Sequence, residues 1–273
     1  MDDLETLLYE ERDGVAVVTL NRPDVQNSFN FQMQLELKRV WQSLRTNDEV
    51  RAVLLTGAGD EAFCTGIDRD ESFAGFLADD PDRPPMGRVS TPFMFNSPGP
   101  NILPKANDLW KPVVGAINGM ACAGALYLLG EIDVIVAAEH ATFFDPHVTY
   151  GIVSGFESTH LLQKLPLGET LRLALVGSHE RMSARRAYDV GLVSEVVPVA
   201  ELLDRAMWVA AAIAASPTLP VQATLKAIWM AHENTRRQAL EQVSSYVTLG
   251  TDREHIAAGE EIFRGERPDF RIR

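Results

Sequence analysis

The sequence predicts an α/β fold followed by a helical C-terminal region. Strand-like and helix-like segments alternate through the first two-thirds of the chain, as is typical of stacked crossover units. Beyond Pro198 the apolar residues recur at helical spacing almost to the end. With 273 residues, 46% apolar and 23% charged, the chain is long enough for one large domain with a buried core.

The first predicted elements are two strands that form a hairpin. Residues 7–11 and 15–20 are rich in apolar and β-branched side chains and flank Asp13-Gly14, a dipeptide typical of tight hairpin turns.

A helix and a strand follow the hairpin. Asn30 is a suitable N-cap for a helix, and residues 52–56 form an apolar run that predicts a buried strand. The apolar residues of the helix recur at helical spacing and are Met33, Leu37, Val40, Trp41 and Leu44.

A second strand-helix-strand unit occupies the middle of the chain. Residues 112–130 carry no charge and approach the length of a bilayer span, but four glycines, a proline and an asparagine interrupt them. We therefore expect a buried strand from Val113, a turn over residues 118–125 and a helix around 126–129. Residues 134–137 predict the next strand, and further short elements end near residue 197.

The C-terminal quarter predicts a separate helical region. We expect a core over residues 1–198 and a helical region over 199–273. The first helix of that region is indicated by Leu203, Met207, Ala210, Ala211 and Ala214.

One long segment, residues 72–105, shows no regular pattern. It is rich in proline and glycine, yet it also contains large apolar side chains, which a solvated loop rarely has in such number. We interpret it as a flexible wall over an apolar ligand pocket. These side chains are Phe73, Phe76, Met86, Phe93, Met94 and Phe95.

Charge and cysteine content exclude several classes of protein. The formal net charge of −13 argues against a nucleic-acid surface, which requires clustered Lys and Arg. Cys64 and Cys122 follow no disulfide or metal-ligand spacing, which favours a reducing compartment. The acidic start at residues 1–5 is unlike a secretory signal, so we expect a cytoplasmic protein without a membrane anchor.

Several short motifs follow predicted strands. The first is NRP at residues 21–23 with NS at 27–28. The second is GAG at 57–59, which continues as AFCTGID over 62–68. The third is AINGMACAGA over 116–125.

Together these motifs resemble the enoyl-CoA hydratase/isomerase family, the crotonases. Later segments are similar to family patterns in the same order: LG at 167–168, ARRAYDVGLV at 184–193 and TDRE at 251–254. The resemblance implies a crotonase-like spiral of strand-strand-helix turns around two sheets. It also implies C-terminal helices that form homotrimers and often hexamers.

The resemblance implies two backbone donors for a thioester oxygen, the N–H groups of Ile67 and Gly124. Small residues suit both places, because a ligand oxygen reaches about 3 Å from a backbone nitrogen only where no side chain covers it. We expect Cys64, Gly66, Asp68 and Gly119, which flank the donors, to belong to the substrate site, with Asp68 fixing its turn through backbone hydrogen bonds.

The acid-base residues depart from the family pattern. Family hydratases use two glutamates to hold and activate water, and the aligned positions here carry Tyr127 and His147. His147 remains a candidate base, since an imidazole has an ordinary pKa of about 6.5. Asp145 is a candidate to orient it, and Tyr127 a candidate hydrogen-bond donor. As alternatives, His147 is a residue of the pocket wall, Asp145 a turn residue and Tyr127 a core residue.

Two other carboxylates lie close in sequence to these positions. Glu131 follows Tyr127 by one helical turn, and Glu157 lies in a glycine-containing turn. Either residue is an alternative source of the missing carboxylate, although we expect a surface or ion-pair role for both.

The resemblance implies an acyl-CoA thioester as substrate and no cofactor beyond the coenzyme A that the substrate carries. Its phosphates require local cations, for which Arg22 and Lys226 are candidates, and backbone N–H groups. We expect no metal, because His147 and His160 lack zinc-ligand partners at the usual spacings.

Three functions remain open on the sequence. The first is a hydratase/isomerase-type enzyme that works through a thioester enolate, with its acid-base pair rebuilt around His147. The second is a C–C bond hydrolase of a β-keto or cyclic acyl-CoA, since the segment 144–147 weakly resembles hydrolases that cleave β-diketones with a histidine. The third is a protein that binds acyl-CoA without turnover.

Overall fold

Two β-sheets and the helices around them form the core of the protein. The computed structural model describes residues 1, 3–71, 87–88, 95–265 and 270–273. The predicted α/β class is confirmed. The strands are β1 (Leu7–Arg12), β2 (Val15–Leu20), β3 (Ala52–Gly57), β4 (Ala62–Cys64), β5 (Gly87–Arg88), β6 (Phe95–Asn96), β7 (Val113–Ile117), β8 (Met120–Cys122), β9 (Val134–Ala138), β10 (Thr142–Phe144), β11 (Met182–Ser183) and β12 (Glu195–Val197).

Helices surround the sheets and make up most of the C-terminal quarter. They are α1 (Phe31–Leu44), α2 (Gly99–Ile102), α3 (Ala125–Glu131), α4 (Phe156–Leu162), α5 (Leu167–Val176), α6 (Ala184–Asp189), α7 (Leu202–Ala214), α8 (Thr218–Glu233), α9 (Arg236–Gly250) and α10 (Arg253–Arg264).

Three pairs of successive strands divide between the two sheets, whereas β1 and β2 both lie in the large sheet and β5 and β6 pair separately. The large sheet has the order β1-β2-β3-β7-β9-β12, and the small sheet has the order β11-β10-β8-β4. The pairs β3/β4, β7/β8 and β9/β10 each place one strand in each sheet. Apart from the antiparallel edge strands β1 and β11, neighbouring strands of both sheets are parallel. This alternation is the spiral of strand-strand-helix turns that the resemblance implied.

The first predicted elements are confirmed. Strands β1 and β2 are antiparallel, and both turn residues have positive φ, 51° at Asp13 and 76° at Gly14, as a type I′ turn requires. The Oδ1 atom of Asn30 accepts the N–H of Met33 at 2.9 Å and caps α1. All five apolar residues predicted for this helix are buried.

Residues 112–130 form the predicted strand, turn and helix, with one further element. The turn contains the short strand β8, which belongs to the small sheet and was not predicted. A strand of three residues is too short to show a period of two in the sequence.

The first C-terminal helix packs on the core. Small residues of α7 cover the face of the large sheet opposite α1 and are Ala206, Ala210 and Ala214. Leu203, an apolar residue used to predict this helix, is instead 52% exposed. The boundary predicted at residue 198 stays a prediction.

A cluster of charges joins α8 to the core. Lys105 Nζ lies 2.8 Å from Asp133 Oδ2, and both side chains are only 8% exposed. The indole N–H of Trp229, on α8, donates to Asp133 Oδ1 at 2.7 Å. Lys164 Nζ lies 5.7 Å from the centre of the Trp229 ring and donates to the carbonyl of Ile132.

The predicted wall over residues 72–105 lies largely outside the described residues. The part that is described includes α2 and a 3-10 turn at Lys105–Asn107. Among the helices that the structure describes, none alone is long and apolar enough to cross a bilayer. The segments Val199–Ala214 and Thr218–Glu233 reach that length and apolarity only together, with a bend of 108° between them.

Candidate active site

The predicted site segments follow the carboxyl ends of three neighbouring strands. In the small sheet β8 is parallel to both β4 and β10, with Cys64 beside Ala121 and Cys122 beside Phe144. Neighbouring strands lie about 4.8 Å apart, so the residues that follow them emerge at one edge. These are residues 65–68, 123–124 and 145–147. Ligands commonly bind at the carboxyl edge of parallel strands.

The first donor segment leaves the N–H of Ile67 available. Phe29 donates to the carbonyl of Gly66 at 2.8 Å and accepts the N–H of Asp68 at 3.0 Å. These bonds use the groups on either side of Ile67, and backbone groups alternate in direction along an extended chain. The N–H of Ile67 therefore points away from Phe29, and no described residue accepts a hydrogen bond from it.

The second donor segment leaves the N–H of Gly124 available. Ala123 has a φ of 52°, and the chain then enters α3 with Gly124 as its N-cap. The first hydrogen bonds of this turn are donated by Leu126, to Ala123, and by Tyr127, to Gly124. The N–H of Gly124 precedes them and has no acceptor among the described residues, as expected at the start of a helix.

The two donor segments touch without an intervening side chain. A Cβ atom added at Gly66, where φ is 85°, would lie 2.4 Å from the nitrogen of Gly124. One added at Gly124 would lie 2.6 Å from Cζ of Phe29 and 3.3 Å from Cα of Gly66. Only glycine fits at either position. The two glycines therefore allow the N–H groups of Ile67 and Gly124 to lie close to each other.

The flanking candidates mostly brace this edge. Arg22 Nη1 lies 2.7 Å from Asp68 Oδ2, and Asp68 Oδ1 accepts the N–H of Glu71 at 3.3 Å. Gly119 lets β8 approach β4, because an added Cβ would lie 2.3 Å from the carbonyl oxygen of Glu61. Cys64 accepts the N–H of Gly66 through its sulfur, and burial raises the pKa of this thiol to about 12, so it stays protonated.

Lys226 lies elsewhere. Its Nζ is 4.8 Å from the centre of the Trp110 ring, in a groove beside Arg45 and Tyr246. Trp110 precedes β7, whereas the donor segments follow the carboxyl ends of their strands. The structure therefore does not bring Lys226 together with the other candidates, and its contact with coenzyme A stays a prediction.

A buried aspartate holds His147 in place. Asp145 has no exposed surface. Its Oδ1 contacts Nδ1 of His147 and accepts the backbone N–H of the same residue at 3.2 Å, and its Oδ2 accepts the hydroxyl of Ser154. Ser154 also contacts the hydroxyl of Ser158. The expected orientation of His147 by Asp145 matches this geometry, in which the Nδ1–H tautomer leaves Nε2 for chemistry.

Glu157 joins the same cluster from α4. It is 4% exposed, so the predicted surface position is wrong, whereas an ion-pair position matches the structure. Its Oε1 lies 3.5 Å from Nε2 of His147, and its charge acts on the nearby phenol of Tyr127. Glu131 is not in this cluster, because its Oε2 accepts the N–H of Lys105 at 2.6 Å.

The environment separates the proton affinities of these groups. Burial alone would raise the pKa of Asp145, but hydrogen bonds from His147 and Ser154 hold it below its ordinary value. Burial would lower the pKa of His147, but the hydrogen bond to Asp145 and the charges of Glu157 and Asp145 raise it. Burial raises the pKa of Glu157 despite the nearby His147. Burial and the charge of Glu157 raise the pKa of Tyr127, which keeps the phenol neutral.

This cluster is also the place where the described residues come nearest to a metal site. Donor atoms of Asp145, His147 and Glu157 lie within 4.8 Å of one another. Hydrogen bonds already use both oxygens of Asp145 and Nδ1 of His147, which leaves His147 Nε2 and the Glu157 carboxylate. Two donors are fewer than zinc sites use, and the expectation of no metal stays a prediction.

The sequence missed the polar partners of the cluster. Ser154 reaches Asp145, and Ser158 reaches Ser154, because the chain turns back over residues 147–155, and no motif marked either serine. Glu157 was a candidate because it was expected in a glycine-containing turn near His147. The structure places it in the first turn of α4, and its partners could not be read from the sequence.

This chain is similar to known proteins over nearly its whole length. The family described as Enoyl-CoA hydratase/isomerase matches residues 10–271. The (E)-benzylidenesuccinyl-CoA hydratase of Thauera aromatica is 35% identical over 80% of both chains. The 1,2-epoxyphenylacetyl-CoA isomerase of Escherichia coli is 32% identical over 98% of both.

Solved structures show the same fold. An enoyl-CoA hydratase/isomerase from Mycobacterium paratuberculosis superposes with a TM-score of 0.81 at 33% identity, over 95% of this chain and 94% of the other. This similarity confirms the spiral core and the C-terminal helices that the sequence predicted.

Proposed function

Because the chain belongs to the enoyl-CoA hydratase/isomerase family, the crotonase superfamily, we propose that Ile67 and Gly124 stabilise the enolate of its acyl-CoA substrate with their N–H groups. The observation that carries this proposal is the contact between Gly66 and Gly124, beside two amides that have no acceptor among the described residues.

The reaction requires these donors because the α-proton of a thioester is a poor acid. As it leaves, negative charge develops on the carbonyl oxygen, and preorganised N–H groups stabilise that charge without reorganisation. Loss of one such donor typically lowers the rate by about 10²- to 10³-fold. Backbone donors persist when the acid-base side chains change, which fits a chain that keeps both glycine motifs.

His147 is the proton-transfer group of the proposal. Asp145 fixes its ring and tautomer, and its Nε2 is the nitrogen left for the substrate. Its side chain is 17% exposed, more than that of Asp145 or Glu157. Tyr127 acts as a neutral hydrogen-bond donor, since its raised pKa excludes a phenolate at neutral pH.

Coenzyme A would be bound by local groups in an otherwise acidic protein. We assign its phosphates to basic side chains and backbone N–H groups, with Arg22 and Lys226 as the residues to test. Arg22 is braced by Asp68, so its removal is expected to disturb the donor segment as well as any phosphate contact.

Exchange of the α-proton is the step common to every enolate reaction, and it tests the proposal directly. A saturated acyl-CoA is incubated with the protein in D₂O, and deuterium at C2 is measured by mass spectrometry. We expect exchange by the native protein and a loss of about 10²- to 10⁴-fold in His147→Gln, with acyl-CoA binding retained. Binding without exchange by the native protein would support the non-catalytic alternative instead.

The Asp145-His147 pair also favours a second candidate, hydrolysis of a C–C bond in a β-keto or cyclic acyl-CoA. A histidine held by a buried aspartate can activate water as well as move a substrate proton. Consumption of a β-diketone thioester, with a 2-enoyl-CoA left unchanged, would identify this activity.

We further propose that the protein assembles as a homotrimer or a hexamer through its C-terminal helices. Several large apolar side chains on α8, α9 and α10 are exposed in the single chain. They include Ile228, Leu240, Val247, Leu249, Ile256 and Ile262.

A further inference from the structure

The carboxylate of Glu157 lies where the two acid-base positions of the site converge. It lies 3.5 Å from Nε2 of His147, and its charge helps to raise the pKa of the Tyr127 phenol. Tyr127 comes from α3, which begins at the donor Gly124, and His147 follows β10. Glu157 reaches the same point from a third element, α4.

Addition of water to a double bond needs two proton carriers. One group must accept a proton from the water as its oxygen attacks, and another must deliver a proton to the neighbouring carbon. The two events occur at different atoms, so two groups of opposite protonation state are required at the start. Tyr127 cannot supply the base, because its phenol stays neutral.

We propose that Glu157 is the second proton carrier of this site and that, with His147, it adds water across the double bond of a 2-enoyl-CoA. The inference rests on the proposed enolate function and narrows it to hydration. In the resting pair Glu157 is a carboxylate and His147 an imidazolium.

Protons and electrons balance with these two groups alone. The water oxygen bonds to C3 while its proton passes to Glu157, and the electron pair of the C2–C3 double bond moves into the thioester enolate. The C2–H bond then forms with the proton from Nε2 of His147, as the enolate electrons return. Glu157 finally passes its proton to His147 across their 3.5 Å contact, which restores the resting pair.

The surroundings support this assignment. Asp145 and Glu157 are the charged groups that face His147, and together they favour the imidazolium. His147, Asp145 and Tyr127 face Glu157, whose pKa is raised by burial, making it a stronger base than an exposed carboxylate. Asp145 is excluded as the base, because it is fully buried and both its oxygens accept hydrogen bonds.

The variant Glu157→Gln tests the inference, because the two half-reactions need different groups. Hydration of a 2-enoyl-CoA is followed by loss of the ultraviolet absorbance of the conjugated thioester. Exchange at C2 of a saturated acyl-CoA is followed in D₂O. We expect hydration to fall by about 10²- to 10⁴-fold in Glu157→Gln. Exchange is compared at a pH where His147 is neutral in both proteins, and there it should stay within about threefold of the native rate.

Two other variants complete the experiment. His147→Gln is expected to lose both activities. Glu131→Gln is the matched control, since it makes the same change at a partly buried carboxylate whose partner is the backbone of Lys105. It should keep both activities.

The outcomes separate this inference from the function on which it rests. Three results would overturn the role of Glu157. The first is hydration at the native rate by Glu157→Gln, and the second is an equal fall of hydration and exchange in that variant. The third is a native protein that exchanges the C2 proton but hydrates no 2-enoyl-CoA. A native protein that does not exchange would overturn the proposed function itself. Retained exchange in Glu157→Gln also shows that the variant is folded.

Discussion

Asp145 shows how one buried carboxylate sets the chemistry of its neighbour. Its two oxygens receive hydrogen bonds from the ring and backbone of His147 and from Ser154. These bonds keep it ionised, and its charge raises the pKa of His147. In the proposed function, Asp145 therefore acts on proton transfer through His147 and does not contact the substrate.

Asp145→Asn should change both the rate and its dependence on pH. Exchange at C2 requires neutral His147, so in the native protein its rate rises with pH through a pKa above the ordinary value of 6.5. Without the aspartate charge that pKa falls, and the midpoint of the profile moves to lower pH. Loss of the fixed tautomer should also lower the plateau by about 10²- to 10⁴-fold. An unchanged midpoint in a pH-rate profile would contradict this role.

Gly66→Ala should separate close contact from backbone strain. The added methyl would lie 2.4 Å from the nitrogen of Gly124, so we expect loss of exchange activity and of folding stability. Gly151→Ala is the control, because Gly151 has a similar φ of 75° but no atom within 4 Å of the added methyl. It should lose stability through strain alone and keep its activity. Thermal unfolding and the exchange assay measure the two effects.

The sequence predicted site residues where a motif fixed them and failed where a contact crosses the fold. Each of the segments that resemble family motifs can be recognised by itself, and they contain Ile67, Gly124, Tyr127 and His147. The burial of Glu157 depends on how α4 packs beside α3, and local sequence carries no signal for that distance.

Glu36 links two elements, the helix α1 and the start of β1. Its Oε1 accepts the N–H of Glu5 at 2.8 Å, and its Oε2 accepts the N–H and hydroxyl of Thr6 at 3.0 and 2.6 Å. Gln32 donates a fourth bond. These bonds outweigh burial and lower the pKa of Glu36, so the charged form holds the N-terminal strand to the helix.

Glu36→Gln should destabilise the protein by about 1 to 3 kcal/mol at pH 7, because an amide leaves some of these donors unpaired. The folded pKa of Glu36 is lowered, so its contribution is present above the ordinary value of 4.5 and is lost as the pH falls through the folded value. The difference between native and variant proteins in urea unfolding should therefore shrink in acid. Glu10→Gln, at an exposed position of β1, is the control and should unfold like the native protein.

Long helices and strands with a clear period of apolar residues were predicted from the sequence more easily than short ones. The helix α1 shows five apolar residues at helical spacing and a polar cap, and every one was placed correctly. The strand β8, with three residues inside a glycine-rich turn, has no detectable period, although it carries one of the two donor segments.

At the scale of the whole molecule, the alternation of predicted elements indicated an α/β fold, but the assignment of strands to two sheets did not follow from it. That assignment depends on the short connections between paired strands, such as the two residues between β7 and β8. The family resemblance supplied it, because composition and periodicity alone gave only an α/β fold with a helical tail.

Assembly is the property of the whole molecule that the C-terminal helices are proposed to control. Leu249 is 71% exposed on α9, and we expect Leu249→Asp to convert the trimer or hexamer to a monomer, because a charge would be buried at the interface. Gln242→Asp introduces the same charge at another exposed position of α9 and should remain assembled. Light scattering measures the mass. A monomeric native protein would contradict the proposal.

The junction between α8 and the core has an optical consequence. The emission of an indole depends on charges beside its ring, and Lys105 and Lys164 each place an ammonium group 5.7 Å from Trp229. Burial lowers the pKa of Lys164 to about 8, so one of these charges disappears in mild alkali. Tryptophan fluorescence should then shift with a midpoint near that pH in the native protein, and the shift should be absent in Trp229→Phe. The fluorescence of Trp229 thereby reports on the packing of α8 against the core without an added label.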